Sequence, residues 1–193
     1  MGAEYELKFR ATEAIQTAIM EDHPGSWQQL PMQTTYYDTP SGSLSARRYM
    51  LRKRLEDGVS VCTLKTPGTG GQRGEWEVQC EHITTAVSEL CKLDAPTDLD
   101  VLCAEGLVSI CGAEFTRQIL LLQLPGCSAE LALDKGRLLG KRRERPLCEV
   151  ELELKEGSRE TLDAFGKAFA EKYGLQPEAK SKFARALALN NEV

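Results

Sequence analysis

The sequence predicts an α+β fold: an antiparallel sheet, closed or nearly closed, with a charged interior and helices packed on the outside. Three observations lead there. Separate short segments alternate charged and apolar residues with the period of a β-strand. Turns rich in Gly, Pro and Asp join several of them as hairpins. Helix-periodic segments at the start, middle and end of the chain supply cover for the apolar faces. The chain has 193 residues, within the size of one domain, and residues 1–193 read as a single one.

The first segment, "GAEYELKFRA", places Glu4, Glu6 and Lys8 at alternate positions with Tyr5, Leu7 and Phe9 between them. "TEAIQTAIMEDHPG" reads as a helix capped by Thr12, with Ile15 and Ile19 on one face and Pro24-Gly25 as its stop. "QTTYYDTP" is a strand entering a turn at Pro40-Ser41-Gly42, and "RRYMLRKRLEDGVSVCTLKTPG" is two strands joined at Asp57-Gly58. "GEWEVQC" is another strand, entered through the loop "TPGTGGQRG". "TTAVSELCKL" and "PTDLDVLCAEGLVSICG" have helical spacing and read as two short helices. Strands resume at "FTRQILLLQLPG" and "SAELALDKGRLLG", joined through Pro125-Gly126, and "LCEVELELKEG" is the last. "SRETLDAFGKAFAEKYG" is an amphipathic helix with Leu162, Phe165 and Phe169 on one stripe and Gly174 as C-cap. "PEAKSKFARALALN" reads as a final helix with Pro177 at its start.

Composition narrows the functional classes. A net charge of −5 argues against a broad nucleic-acid footprint. No apolar run approaches the length that spans a bilayer, and the charged opening strand leaves no secretory leader to expect. The seven cysteines are dispersed, without a C-x-x-C pair. That pattern fits a reducing, cytoplasmic setting better than a disulfide framework or a zinc site. The only histidines, His23 and His82, have no i, i+4 partner, which argues against a helical metal motif.

The charged faces carry the functional signal. Arg52 and Arg54 alternate with apolar residues, and Lys65 closes a strand on the parity of Val61 and Thr63. Glu75 and Glu77 flank Trp76, Glu130 and Asp134 lie at even spacing, and Glu149, Glu151 and Glu153 alternate with Val150 and Leu152. If the apolar faces lie under helices, the charges point inward, which is tolerable only with water, counter-charges or ions. The carboxylates Glu4, Glu6, Asp134, Glu149, Glu151 and Glu153 would repel each other unless hard cations such as Mg²⁺ or Mn²⁺ joined them. Lys8, Arg52, Arg54, Lys65, Arg73 and Arg117 form a cationic set suited to phosphate oxygens. A polyanionic, metal-chelating ligand matches both sets, and oligophosphates are the plainest case.

With these residues in hand, the chain resembles the CYTH domains, also called triphosphate tunnel metalloenzymes. "EYELK" at 4–8 is similar to their E-x-E-x-K opening. "YYDTP" at 36–40, "LRKR" at 51–54, "TLKTPG" at 63–68, "RGEWE" at 73–77, "FTRQ" at 115–118, "ELALDKG" at 130–136, "CEVELELKEG" at 148–157 and "SKFARAL" at 181–187 follow in the family's order. The resemblance implies a closed, eight-stranded antiparallel β-barrel, a tunnel that binds triphosphate at its centre and hydrolyses inorganic triphosphate, thiamine triphosphate or nucleoside triphosphates with Mg²⁺ or Mn²⁺. It implies metal-binding roles for Glu4, Glu6, Glu149 and Glu151, helped by Asp134 and Glu77, with Glu153 on the same parity. Lys8, Arg52, Arg54, Lys65 and Arg117 look like phosphate ligands, and Arg73 joins them by charge. Lys182 is the choice for a closing lysine, with Lys180 and Arg185 as competitors. Ala186 stands where many relatives have Gly.

The expected reaction is metal-assisted attack of water on a terminal phosphoanhydride, most simply of inorganic triphosphate, with Glu4, Glu6 and Lys8 at the chemistry. Two alternatives stay open: a module that binds polyphosphate or a nucleotide without cleaving it, and an adenylyl cyclase. The expected partner is a triphosphate-containing small molecule, without nucleic acid or membrane, for a monomer or homodimer. "PGTGGQRG" runs into a strand rather than the helix a dinucleotide fingerprint requires. "GRLLGKR" lacks the Walker spacing and hydroxyl.

Overall fold

The structure is a computed structural model and describes residues 5–67, 74–96 and 98–192. Its strands are β1 (Glu6–Arg10), β2 (Gln28–Asp38), β3 (Met50–Glu56), β4 (Val59–Thr66), β5 (Gly74–Gln79), β6 (Val108–Leu124), β7 (Cys127–Leu139), β8 (Glu144–Gly157) and β9 (Gln176–Pro177). Its helices are α1 (Glu13–Asp22), α2 (Ser43–Ala46), α3 (Ile83–Lys92), α4 (Leu99–Cys103), α5 (Arg159–Tyr173) and α6 (Lys182–Ala188).

The strands form one sheet in the order β5-β4-β3-β2-β6-β7-β8-β1-β9. The α+β class stands, but the closed eight-stranded barrel does not. Among the described residues, the sheet has nine strands and ends at β5 on one side and β9 on the other, and these two are not paired. Closure needs hydrogen bonds between the terminal strands. β9 is only two residues long and ends in Pro177, which has no N–H to give. Alternation in a sequence reports which residues share a face; it does not report whether the last strand meets the first.

Two segments also depart from their predicted state. The helix expected across residues 96–112 is confined to α4, because Gly106 turns the chain at φ 99° and the β-branched Val108 and Ile110 open β6. Pro177 does not start the last helix; it pairs with Phe9 in the β1–β9 ladder, and α6 begins at Lys182.

The chain divides into two compact units. The first comprises Met1–Pro31, Phe115–Arg137 and Arg145–Ser181. Its core gathers Phe9, Leu131, Leu133, Val150 and Leu152 from strands β1, β7 and β8, with Ile19 of α1 and Leu162 and Phe169 of α5. Thr12 caps α1 by accepting from Ile15 N, and Ser158 caps α5 by accepting from Thr161 N. Gly174 ends α5 at φ 64°. The register pairs Leu7 with Leu152 and Phe9 with Val150 on the apolar face. The intervening pairs Glu6–Glu153, Lys8–Glu151 and Arg10–Glu149 fall on the opposite face.

The second unit comprises Met32–Glu114, Leu138–Glu144 and Lys182–Val193. Leu51 and Leu64, opposite each other on β3 and β4, pack with Val87 and Leu90 of α3 and Leu99 of α4. Asp57 and Gly58 adopt positive φ, 47° and 79°, and close the β3–β4 hairpin as expected. Asp38, buried at the end of β2, accepts from the backbone N–H groups of Thr39, Leu44 and Ser45 and fixes the turn into α2.

Candidate functional site

In the first unit, the charged face of β7 and β8 brings three buried carboxylates together. Asp134, Glu149 and Glu151 each offer an oxygen within 4.8 Å of the others. Asp134 and Glu149 are fully buried. Arg117 of β6 meets this cluster with a two-pronged grip on Asp134, Nε to Oδ1 and Nη2 to Oδ2, both 2.7 Å. The same Nη2 also donates to Glu151 Oε2. Burial by itself would lower the guanidinium's pKa, but the hydrogen bonds and charge of Asp134 and Glu151 more than offset it and hold Arg117 above its ordinary value. Gln16 of α1 braces the cluster from the backbone side. Its Nε2 donates to the carbonyls of Asp134 and Glu149, both at 2.9 Å.

Around this centre, several further charges of the unit sit in partnered positions. Lys8 Nζ lies 3.3 Å from Glu6 Oε1. Lys155 bridges Glu153 at 2.9 Å and Glu130 at 3.1 Å; burial opposes its charge, but the two carboxylates hold its pKa above the usual lysine value. Glu178 is buried beside β1. It accepts from Arg10 Nε at 2.8 Å and from Lys180 N at 2.9 Å, while its own N–H donates to Lys8 O. Burial would raise its carboxyl, but the Lys180 N–H and the Arg10 charge outweigh this and hold it below the usual range.

In the second unit, cross-strand register assembles a cationic face. Arg52 stands opposite Thr63, and Arg54 opposite Val61. Tyr36 and Thr34 of β2 stand opposite the same two arginines. Lys65 pairs with Glu75 at 2.7 Å. Glu77 accepts from Thr63 Oγ1 at 2.8 Å and lies 3.6 Å from Arg52 Nη2. Phe183 of α6, next to Lys182, packs against Tyr36 with ring centroids 4.8 Å apart and the rings tilted by 45°. Burial pushes the Tyr36 phenol up, against the pull of Arg52, Arg54 and Lys182.

Of the carboxylates expected to hold a metal, the structure therefore joins Asp134, Glu149 and Glu151. Glu6 and Glu153 share a cross-strand pair on the same face, each with a lysine partner, and Glu77 belongs to the cationic face of the second unit. Glu4 and Arg73 lie outside the described residues. Arg117 groups with the carboxylates, whereas Arg52, Arg54 and Lys65 group with one another. Sequence reasoning missed Gln16, Lys155 and Glu178. Lys155 continues the β8 parity after Glu153 and was open to detection. Glu178 follows Pro177 in a stretch with the composition of a helix, and nothing in the spacing marked it. Hard oxygen donors close enough to share one cation fit Mg²⁺ or Mn²⁺.

The chain belongs to the CYTH domain family, whose model matches residues 2–187. Among curated proteins, the inorganic triphosphatase of Haemophilus influenzae is 28% identical over 167 residues. The match covers 86% of this chain and 47% of that protein, so the chain spans about half the length of this relative. Among solved structures, the HpAC1 protein of Hippeastrum, reported with a dominant triphosphatase activity, is 16% identical with a TM-score of 0.68, covering 96% of this chain and 95% of the other. The PH1819 protein of Pyrococcus horikoshii is 21% identical with a TM-score of 0.59, covering 98% and 99%. At these identities the likeness is one of fold. Among the described residues, no helix is long and apolar enough to cross a membrane.

Proposed function

We propose that this chain hydrolyses the terminal phosphoanhydride of a triphosphate, with inorganic triphosphate as the first substrate to test and a divalent cation as cofactor. The observation that carries this reading is the buried Asp134–Glu149–Glu151 cluster. Its chemistry agrees with the activity that names the Haemophilus influenzae relative and with the family resemblance of the charged strands. Asp134, Glu149 and Glu151 hold the cation, with Glu6 and Glu153 on the adjoining face. When bound, Mg²⁺ or Mn²⁺ supplies charge neutralisation on the phosphate oxygens and activation of the attacking water. Arg117 keeps Asp134 and Glu151 in place. By the family resemblance, Arg52, Arg54 and Lys65, with Lys182, take the role of phosphate ligands, for which their charge suits them. Lys8, opposite Glu151 in the β1–β8 register, is the candidate for proton transfer.

Release of phosphate from tripolyphosphate, measured with Mg²⁺ and with Mn²⁺, tests the reading. Glu151→Gln and Glu149→Gln are expected to lower the rate by about a hundredfold or more, beyond the loss seen when only outer supports of a metal are changed. Absence of release by the wild type, or equal rates in the variants, overturns it. Thiamine triphosphate and ATP in the same assay rank the substrates, and cyclic AMP production from ATP identifies a cyclase instead.

A further inference from the structure

Two of the buried polar atoms on the cationic face of the second unit, the Thr34 hydroxyl and Arg52 Nε, find no hydrogen-bond partner in the fold. Thr34 is 3% exposed, and its hydroxyl has no hydrogen-bond partner. Arg52 Nε is likewise buried and without a partner, although the other end of that guanidinium approaches Glu77. Two neighbouring pairs on this face are matched: Thr63 donates to Glu77, and Lys65 pairs with Glu75. Residues directly opposite on adjacent strands share a face. Thr34 faces Arg54 across β2 and β3, and Tyr36, one position further along this face, faces Arg52. The hydroxyl thus stands among cations, with the buried phenol of Tyr36 beside it and the Phe183 ring behind.

The Thr34 position is held by its backbone. Gly112 of β6 lies so close that a Cβ there would meet Thr34 O at 2.7 Å, so the absence of a side chain at this position is what lets β2 pack tightly against β6. An unmatched hydroxyl in such a site destabilises the protein, whereas a valine of almost the same shape would not. A threonine retained at that cost is suited to a ligand that brings an acceptor. The surrounding charge makes that acceptor anionic.

We propose that Thr34 is a substrate-binding residue, its hydroxyl and Arg52 Nε donating to oxygens of one phosphate group of the triphosphate. The inference rests on the hydrolase reading and adds a residue outside every motif segment that carries the family resemblance. Thr34 contributes a neutral donor beside cationic ones. It fixes the orientation of the phosphate rather than adding to the charge that attracts it.

The test pairs stability with affinity in Thr34→Val, with Thr34→Ser as the hydroxyl-retaining control. Tripolyphosphate binding is measured by calorimetry in metal-free buffer with chelator, and thermal unfolding is followed without ligand. Thr34→Val is expected to unfold about 2–4 °C above the wild type, since it sheds an unmatched buried hydroxyl. It is expected to bind tripolyphosphate about ten- to a hundredfold more weakly, with the salt dependence of binding unchanged because no charge is lost. Thr34→Ser is expected to bind like the wild type. Unchanged affinity in Thr34→Val overturns the proposal whatever its stability; a lower unfolding temperature with unchanged affinity identifies the hydroxyl as structural. A wild type that binds tripolyphosphate through Thr34 but never cleaves it sinks the hydrolase reading and leaves this one standing. A wild type that does not bind it sinks both.

Discussion

Arg117→Gln removes a cation that grips a cluster of three buried carboxylates. In the wild type, its guanidinium reaches Asp134 through two 2.7 Å hydrogen bonds and also donates to Glu151. The arginine side chain is 14% exposed, and those of its partners 0% and 10%, so solvent screens these contacts weakly. Three carboxylates against one guanidinium already leave an excess of negative charge among these four groups. Removing one partner of a buried ion pair costs about 3–5 kcal/mol. For a chain of this size, that corresponds to a fall in unfolding temperature of about 6–20 °C. The assay is thermal unfolding by circular dichroism in chelator, repeated over a Mn²⁺ titration. The variant is expected to regain more stability from Mn²⁺ than the wild type gains, because a cation bound only by the folded state stabilises it by mass action. An unfolding temperature within about 1 °C of the wild type in chelator would refute the account, since so small a shift lies far below the cost of breaking a buried pair.

Further outcomes follow from single contacts. Gln16→Leu removes donors from two strand carbonyls, Asp134 O and Glu149 O; urea unfolding is expected to show a loss of about 1–3 kcal/mol. Gly157 has φ 96°, and an added Cβ would collide with Gly126 O and lie 2.7 Å from Cys127 Cα. Gly157→Ala is therefore expected to cost at least about 1–3 kcal/mol from backbone strain alone, measured the same way. The Glu178 carboxyl is held below its unfolded value of 4.5. Its stabilising contribution is thus full above that pH and is lost as pH falls through the lower folded value. Glu178→Gln is expected to flatten that part of the acid unfolding curve, and an unchanged curve counts against the assignment.

The strands were legible where alternation was strong, because side-chain parity is a local property. Leu7, Phe9, Leu51, Leu64, Val150 and Leu152 all lie on the apolar faces their parity assigns, under helices. The Thr12 cap, the Gly174 C-cap and the Asp57-Gly58 turn were legible because each depends on a few neighbouring residues. The extent of the sheet was not, since it depends on pairings between remote segments: β6 begins at Val108, within a stretch whose spacing suited a helix. The site shows the same division. Parity placed Glu149 and Glu151 on one face, but only the β6–β7 contact joins Arg117 to Asp134, and a pattern of charges along a chain cannot assign partners.

The two ends of the sheet are guarded in different ways. At one, β9 offers two residues, the second a proline, and Glu178 then uses its N–H on Lys8 O. At the other, β5 spans six residues and carries Glu75 and Glu77. A foreign strand arriving from solution would meet a ladder that stops almost at once on one border and an acidic row on the other. Self-association by strand addition is therefore discouraged, and concentrated preparations of the protein should resist growth into fibrils.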